Sequence, residues 1–587
     1  MSKLKKAIPY ATVALSVYVF YAFVYGATLR YSEQYQLFQS TADYLAHLLA
    51  RPGGLAMYIG RFLTQFFIAP PIGAFFVSLL ATAVFACVTM LLKSNRYRWQ
   101  LAMVVTALPI CALLDRQSLF NGPVCMLIGC TILLVFSKIK QNKLAAILLP
   151  ILTFATYWIA GGLPAAFVAG YCFCSSIVGK HNNKTLFISS LTALLIVVAS
   201  PFVARQLFGV QLNPTRAFLG ADYSRLVVYS PKLLIAATIL IAILPLLDNF
   251  LNNKLLNLVN KLKSKFLQPS LTCWIFAVFA VGLIFTRMVN FKANRRCEID
   301  FCARTQDWKR IIKIAEKNPP TDDISIAYVN LALTETNRLG DKMFSYEQIG
   351  PTGLIPDFEI DDDIPMVLSE IYYHLGLTNF AERFAFEAAK ASPDYQESAR
   401  AVKRLAETSI IKGNYPLARK YLTMLCNTTF YVRWAQKSLR LIDSGRTDEN
   451  AEWARMRNLR ITEDYYYVEK EKDMMLHKVL AANPSNRIAY EYLMTYYLLN
   501  KDLESFMQYA DFGGRFYGIA YPRAFREAAI FHLRMTNPDA VKDFGTADRQ
   551  MLDQFYNFGK IYNTNRHDAR LAARFGDTYW YYLFKEE

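Results

Sequence analysis

The sequence predicts an all-α protein made of a polytopic helical membrane domain followed by a tetratricopeptide-like α-solenoid. Three observations carry this: apolar runs long enough to cross a bilayer stop near residue 290, the charge balance changes at the same place, and helical periodicity with small residues at repeat spacing follows. Residues 1–290 hold 24 Lys+Arg against 5 Asp+Glu, a formal charge of +19, whereas residues 291–587 hold 41 against 42 and are nearly neutral. The basicity of the chain therefore belongs to its apolar half, where membrane flanks need cations anyway. A nucleic-acid partner is not expected, because the polar half carries no excess positive field.

Apolar runs near the roughly 20 residues that span a bilayer can be read at 8–28, 72–92, 99–114, 119–137, 144–159, 162–178, 185–204, 231–251 and 270–290. The fifth and sixth meet at Gly161-Gly162, a tight turn after an interfacial Trp158. Alternate connections are lysine-rich: Lys3/Lys5/Lys6, Lys93 with Arg96 and Arg98, Lys138/Lys140/Lys143, Lys180/Lys184 and Lys254/Lys261/Lys263/Lys265. The positive-inside rule then makes the N-terminus cytoplasmic and, after nine crossings, sends residues 291–587 to the other side. The expected location is a bacterial inner membrane with a periplasmic C-terminal domain, and the lipid bilayer is the first partner. The first span reads as an uncleaved anchor because its apolar run exceeds a signal-peptide core.

Residues 35–49 and 53–69 carry apolar stripes at helical spacing with polar residues opposite, broken at Arg51-Pro52-Gly53-Gly54. They are expected as two amphipathic helices on the outer membrane surface rather than as a tenth span.

In the second half, Gly376, Ala381, Ala388 and Pro393 reproduce the turn, helix-B and terminal-proline offsets of a tetratricopeptide repeat. Gly413 and Ala418 repeat the first offset. Asn483-Pro484 opens another pair with Ser505 in the small-residue place, and Trp308 and Gly340 suggest earlier turns. Such a solenoid either presents a concave face to a protein partner or closes over its own membrane module. The aromatic clusters Tyr465-Tyr466-Tyr467 and Tyr579-Trp580-Tyr581-Tyr582 read as a binding surface or as core packing, and Asp361-Asp362-Asp363 as a solvated loop. Seven of the ten cysteines lie in apolar runs and behave as small hydrophobes; a disulfide between Cys297 and Cys302 is left open. No cofactor motif, metal-ligand spacing or Ser/His/Asp pattern is present in the sequence.

The chemistry-bearing candidates are the five acids of the first half: Glu33, Asp43, Asp115, Asp222 and Asp248. Arg30 stands near Glu33, Arg116 adjoins Asp115, and Arg216 and Arg225 flank Asp222. With Glu33 after the first span, surface helices after it, and Asp115 between spans three and four in Pro109-Ile-Cys-Ala-Leu-Leu-Asp-Arg-Gln-Ser-Leu-Phe-Asn121, the layout of residues 1–140 resembles membrane glycosyltransferases of the C-type superfamily. That resemblance implies a polyprenyl-phosphate sugar as donor, Glu33 as base, Asp115 as supporting acid, and Arg116, Arg216 and Arg225 as phosphate ligands. The chain lacks the Asp-Asp or Asp-x-Asp pair of that superfamily, so no metal site is expected. The whole chain also resembles a bacterial family of polytopic proteins with this two-part layout, which implies no activity. A non-catalytic envelope scaffold and a transporter are the alternatives; mid-span acids, which a transporter pathway would call for, are missing from the sequence.

Overall fold

The computed structural model describes residues 2–92, 97–139, 141–178, 184–209, 214–219, 231–251, 269–359, 361, 363–392, 398–463, 469–518, 520–536 and 546–585. The fold is all-α, with no strand among the described residues. The chain forms two compact units that do not divide at one point in the sequence. The first is Met1–Cys297 together with Lys390–Arg400 and Thr423–Ala435; the second is Glu298–Ala389, Ala401–Leu422 and Gln436–Glu587.

The first unit contains α1 (Ser2–Val19), a π-helical turn at Phe20–Val24, α2 (Gly26–Glu33), α3 (Ala42–Leu49) and α4 (Gly54–Thr64). It continues with α5 (Pro70–Leu91), α6 (Arg98–Ala112), α7 (Asn121–Phe136), α8 (Asn142–Ala160), α9 (Gly162–Val178), α10 (Lys184–Leu207) and α11 (Pro214–Leu219). Three more helices follow: α12 (Lys232–Ala242), α13 (Leu244–Asn249) and α14 (Pro269–Met288). Four of these helices are long and apolar enough to cross a membrane, or five if α14 and the next helix α15 (Phe291–Arg304), bent by 49° at Val289-Asn290, count as one; α6, α7, α9 and α12 are shorter apolar helices. Large side chains such as Phe75, Ile147, Val198 and Phe276 point outward from them and are exposed. The lysine-rich connections at Lys93, Arg96, Lys140, Lys180 and 254–265 lie outside the described residues.

Tyrosines complete the ends of helices inside this unit. The C-terminal carbonyls of a helix have no partner within it. Near the end of α6, Tyr21 Oη donates to Ile110 O at 2.8 Å and Tyr25 Oη to Leu114 O at 3.2 Å. The turn between α8 and α9 needs Gly161 at φ +94°, and the turn before α4 needs Gly53 at φ +78°. The two turns join where Gly53 N donates to Trp158 O at 2.9 Å and Trp158 Nε1 to Leu49 O at 3.1 Å.

Two features depart from the amphipathic-helix expectation. Helix α3 starts at Ala42, capped by Thr41 Oγ1 accepting from Tyr44 N at 3.3 Å, so residues 36–40 are not helical. Their apolar members do not form a surface stripe: Leu37 and Phe38 are both buried. Helix α4 is turned the other way round from a helix lying on water. Gly60, Arg61, Thr64 and Gln65 face inward, while Leu55, Tyr58, Ile59, Phe62 and Phe66 lie on the more accessible side. Two of the inward residues take hydrogen bonds there: Gln36 Nε2 donates to Arg61 O at 2.7 Å and Thr64 Oγ1 to Gly60 O at 2.8 Å.

The second unit takes in α16 (Trp308–Lys317), α17 (Asp323–Glu335), α18 (Leu339–Lys342), α19 (Ile364–Leu375), α20 (Thr378–Ala391), α21 (Ala399–Lys412), α22 (Tyr415–Cys426), α23 (Val432–Asp443) and α24 (Ala451–Leu459). After them come α25 (Lys472–Ala482), α26 (Arg487–Leu499), α27 (Leu503–Ala510), α28 (Gly514–Tyr517), α29 (Arg523–Thr536), α30 (Thr546–Thr564), α31 (Ala569–Phe575) and α32 (Tyr579–Phe584). The turns that follow α19 and α21 are short. Gly376 closes α19 at φ +86°, where a Cβ would also lie 2.6 Å from Leu459 O, and Gly413 closes α21 at φ +78°. Ser369 Oγ reaches across the first of these turns to Ala381 O at 2.6 Å. Pro393 and Tyr465–Tyr467 lie outside the described residues. Tyr579 and Trp580 are fully buried, so that aromatic cluster is core at its start. Asp361 Oδ1 caps α19 by accepting from Asp363 N and Ile364 N; Asp362 lies outside the described residues. Cys297 and Cys302 lie five residues apart on α15, where helical geometry points them away from each other, so they do not pair with one another.

Helix α4 crosses α7 so closely at Gly60 that an added Cβ would sit 2.1 Å from Asn121 Oδ1 and 2.8 Å from Asn121 Cα. Gly60→Ala is expected to destabilise the first unit by about 1–3 kcal/mol through overpacking. Gly282→Ala on α14, where an added Cβ meets nothing within 4 Å, should not. Melting curves of the two full-length variants in detergent check this; equal midpoints would remove the α4–α7 contact as a packing constraint.

Candidate functional site

Glu33 ends α2 and is almost fully buried, at 3% exposure. A carboxylate at a helix C-terminus is opposed by the helix dipole, so its position calls for a donor. Tyr431 Oη supplies one, at 3.0 Å from Oε1. The stretch after Glu33 is held from the same direction. Arg400 donates to Gln34 Oε1 at 2.9 Å, Ala399 N to Gln36 O at 3.2 Å, and Ser40 N to Asn427 O at 2.9 Å. Between these segments, Glu33, Gln36, Gln65, Thr428 and Tyr431 line a cavity of about 10 Å³, close to the roughly 10–15 Å³ of probe volume that one water needs. Gln65 Nε2 is buried there with no hydrogen-bond partner among the described residues.

Asp115 and Arg116 occupy the loop between α6 and α7, and both are half-buried. The loop is fixed by its own turn: Asp115 Oδ1 accepts from Gln117 N and Asp115 O from Ser118 N, each at 3.0 Å. It rests on the helix that ends in Glu33, because Leu119 packs with Tyr31, Tyr35 and Cys297. Below it, an apolar cleft of about 340 Å³ runs between α1, α6 and α14, lined by Val13, Val17, Phe20, Met103, Ala107 and Phe285 among others. Leu114 also lines this cleft, one residue before Asp115. The arrangement can hold an extended apolar chain beside a half-buried carboxylate and guanidinium.

Of the residues singled out from the sequence, the structure puts Asp115 and Arg116 together in one loop against α2, whose last residue is Glu33. Arg216 lies on α11, with its side chain outside the described residues, and Arg225 is itself outside them. Sequence reasoning missed Tyr431, Arg400 and Thr428. They come from more than 360 residues further on, and no local pattern points from them to Glu33. Among the described residues, no group of three or more His, Cys, Asp or Glu gathers as a metal site.

The second unit contains a buried ionic cluster of its own. His374, fully buried on α19, places Nδ1 2.7 Å from Glu335 Oε1 and Nε2 3.5 Å from Glu370 Oε1. Arg404 bonds Glu370 at 2.6 Å, approaches Glu407 at 3.3 Å, and lies 3.7 Å from the centroid of the Tyr373 ring. Arg455 approaches the second Glu335 oxygen at 3.4 Å. Burial alone would lower the His374 pKa, but the hydrogen bonds and charges of Glu335 and Glu370 raise it above its ordinary value. Burial opposes ionisation of Glu335, and His374 and Arg455 together hold its pKa below the ordinary value. Charges so enclosed are stable only in company.

The chain belongs to the DUF6057 family, a family of unknown function whose model matches residues 2–586. No curated protein and no solved structure shows a significant match.

Tyr431→Phe should lower stability by about 1–3 kcal/mol, because the buried carboxylate of Glu33 loses the hydrogen bond from the Tyr431 hydroxyl. Glu33→Gln in the same background should recover part of the loss, and full additivity of the two changes in thermal melts would count against a direct bond.

The His374 pKa is raised on folding, so its contribution to stability is present below the unfolded value of about 6.5 and is lost as pH rises through the folded value. Glu335 acts oppositely, its contribution fading as pH falls below the ordinary carboxylate range. Glu527, pushed up to about 7 by burial, adds a loss of stability of the same sign, developed as pH rises from the ordinary carboxylate range to about 7. The difference between wild type and His374→Gln melting temperatures should therefore shrink from pH 6 to pH 9; a constant difference would mean that His374 is buried neutral.

Proposed function

We propose that the protein is a multi-pass membrane glycosyltransferase of the C-type, moving a sugar from a polyprenyl-phosphate carrier to an envelope acceptor. The observation that carries this is the apolar cleft lined as far as Leu114, immediately before the carboxylate and guanidinium of Asp115 and Arg116. A long isoprenoid tail suits the cleft, and an arginine fork at its end suits the phosphate. In the reaction the acceptor hydroxyl oxygen bonds to the sugar's anomeric carbon. The bond from that carbon to the phosphate oxygen breaks, the polyprenyl phosphate leaves with the electron pair, and a carboxylate takes the hydroxyl proton.

Asp115, half-exposed, is the carboxylate better placed to meet an acceptor. Glu33 is closed in by Tyr431 and acts as base only if that hydrogen bond opens. Arg116 holds the phosphate, with Arg216 and Arg225 as further ligands.

The proposed topology goes with the same reading. Four helices, or five with the bent pair, are long and apolar enough to cross a membrane, and nine crossings would need the four shorter apolar helices as well. The hydrogen bonds that tie Ala399, Asn427 and Tyr431 to residues 33–40 go with having the loop after the first span and these later segments on one side of the membrane. Nine spans provide this, with eight crossings between the two. The exposed Phe62 and inward Arg61 of α4 suit a helix lying against lipid. By the lysine pattern the N-terminus is cytoplasmic and residues 291–587 are periplasmic, where the glycine-closed helix pairs around Gly376 and Gly413 form tetratricopeptide-like repeats.

A second reading is a non-catalytic envelope scaffold with protein partners on its repeats, and the burial of Glu33 in a packing contact favours it. Transfer of labelled sugar from a polyprenyl-phosphate donor, with the full-length protein in nanodiscs, separates the two. Asp115→Asn should lower the rate by about 100-fold or more, in the range that general-base loss produces, with the melting temperature unchanged. Transfer at the wild-type rate by that variant, or no transfer by wild type from any polyprenyl-phosphate sugar, would leave the scaffold.

A further inference from the structure

The end of the second unit holds another cavity, of about 410 Å³, lined by neither Glu33 nor Asp115. It is built on α30, α31 and α32, and its size falls in the roughly 300–1,000 Å³ of small-molecule sites. One wall is aromatic. Tyr562 and Phe584 have ring centroids 4.7 Å apart, and Phe558 stacks on Tyr562 at 5.8 Å with planes 14° apart. These rings belong to a packed cluster with Trp580 behind them, so the wall is preformed.

The rest of the lining is largely polar and cationic. Arg566 and His567 are exposed at the rim, and no ion pair is formed by either among the described residues. The guanidinium of Arg566 stands 5.6 Å from the centroid of Tyr562. Lys585 contributes a second cation, loosely paired to Glu347 at 3.5 Å, with both side chains half-exposed. The one acid in the lining, Asp568, is already occupied: its oxygens accept from Arg570 Nε at 3.0 Å and from its other guanidinium nitrogen at 2.6 Å. Among the described lining residues the charge is thus net positive, although the second half of the chain is nearly neutral.

A ligand that fits must offer an apolar face to the rings, hydrogen-bonding groups at its edge and negative charge. An extended peptide adding to a sheet would need a strand edge, and none exists among the described residues. A bare phosphate would leave the aromatic wall unused. A sugar ring carries C–H bonds on its face and hydroxyls at its edge, and a uronic acid adds a carboxylate for the arginine fork.

We propose that this cavity binds a short anionic saccharide, its ring faces against Tyr562 and Phe584 and its carboxylates held by Arg566 and Lys585. The site stands on its own rings and cations, so it holds whether or not Asp115 takes part in sugar transfer.

The test is calorimetric titration of the full-length protein in detergent with trigalacturonate, and with maltotriose as a neutral control. Trigalacturonate should bind at least tenfold more tightly than maltotriose, a difference of about 1.4 kcal/mol. Arg566→Gln should weaken it about tenfold and Tyr562→Leu at least as much, while Tyr562→Phe keeps the ring and the affinity. Asp115→Asn should bind as wild type does, which keeps this site separate from the transfer reaction. Equal binding of maltotriose, unchanged affinity in Arg566→Gln, displacement by inorganic phosphate at equal concentration, or no heat with trigalacturonate would each overturn the proposal. If Tyr562→Leu melts early, Arg566→Gln, an exposed change, decides alone.

Discussion

The six residues after Gln34 set the terms for the first unit. The chain leaves α2 at Glu33 and does not enter α3 until Ala42, yet Tyr35, Leu37 and Phe38 in that gap are buried. Buried backbone without a helix or sheet must find its hydrogen bonds elsewhere. Ala399 and Asn427 provide two of them, and Tyr431 and Arg400 bind the neighbouring side chains of Glu33 and Gln34. The first unit is therefore discontinuous in sequence because its connection after α2 cannot satisfy itself. Removing 390–435 would take these hydrogen bonds from an acid, an amide and two backbone groups in an apolar setting, each loss costing about 1–3 kcal/mol.

The same demand explains the orientation of α4. On water, a helix with Arg61, Thr64 and Gln65 on one side would turn them outward. Here they turn inward to meet the polar 33–40 stretch, while Phe62 and Leu55 take the accessible side. Gly60 on the inner face lets α4 approach α7 at Asn121. Polar groups gather inside and apolar ones outside, and the tyrosines at the end of α6 follow the same rule by closing carbonyls that lipid could not.

Hydropathy alone located the apolar helices, because length and composition mark such a segment without knowledge of its neighbours. Gly161, Gly376 and Gly413 were legible as turns for a similar reason: a positive φ at a helix end selects glycine locally. Periodicity located the stripe on α4 but not the direction it faces, since a stripe says which residues share a side and nothing about what lies against it. It also extended the first amphipathic helix back to residue 35, where apolar spacing mimicked a helix that Thr41 in fact starts. The clamp on Glu33 was illegible. A tyrosine some 400 positions away has no signature in composition or spacing, and neither does the His374 cluster, whose members come from α17, α19, α21 and α24.

The two carboxylates of the candidate site, equal as sequence features, differ in what their surroundings permit. Glu33 is enclosed and its oxygen already receives a phenol; to accept a proton from another molecule it would first give up that bond and open a cavity scarcely large enough for one water. Asp115 spends its hydrogen-bonding capacity on its own turn, through Gln117 N to one oxygen, and stays half-accessible beside Arg116. A hydrogen bond from a backbone amide holds a carboxylate in place without enclosing it, whereas a bond from a distant tyrosine holds two pieces of chain together. Glu33 is thus suited to join segments and Asp115 to meet a ligand, and the apolar cleft that reaches Leu114 leads to the second of them.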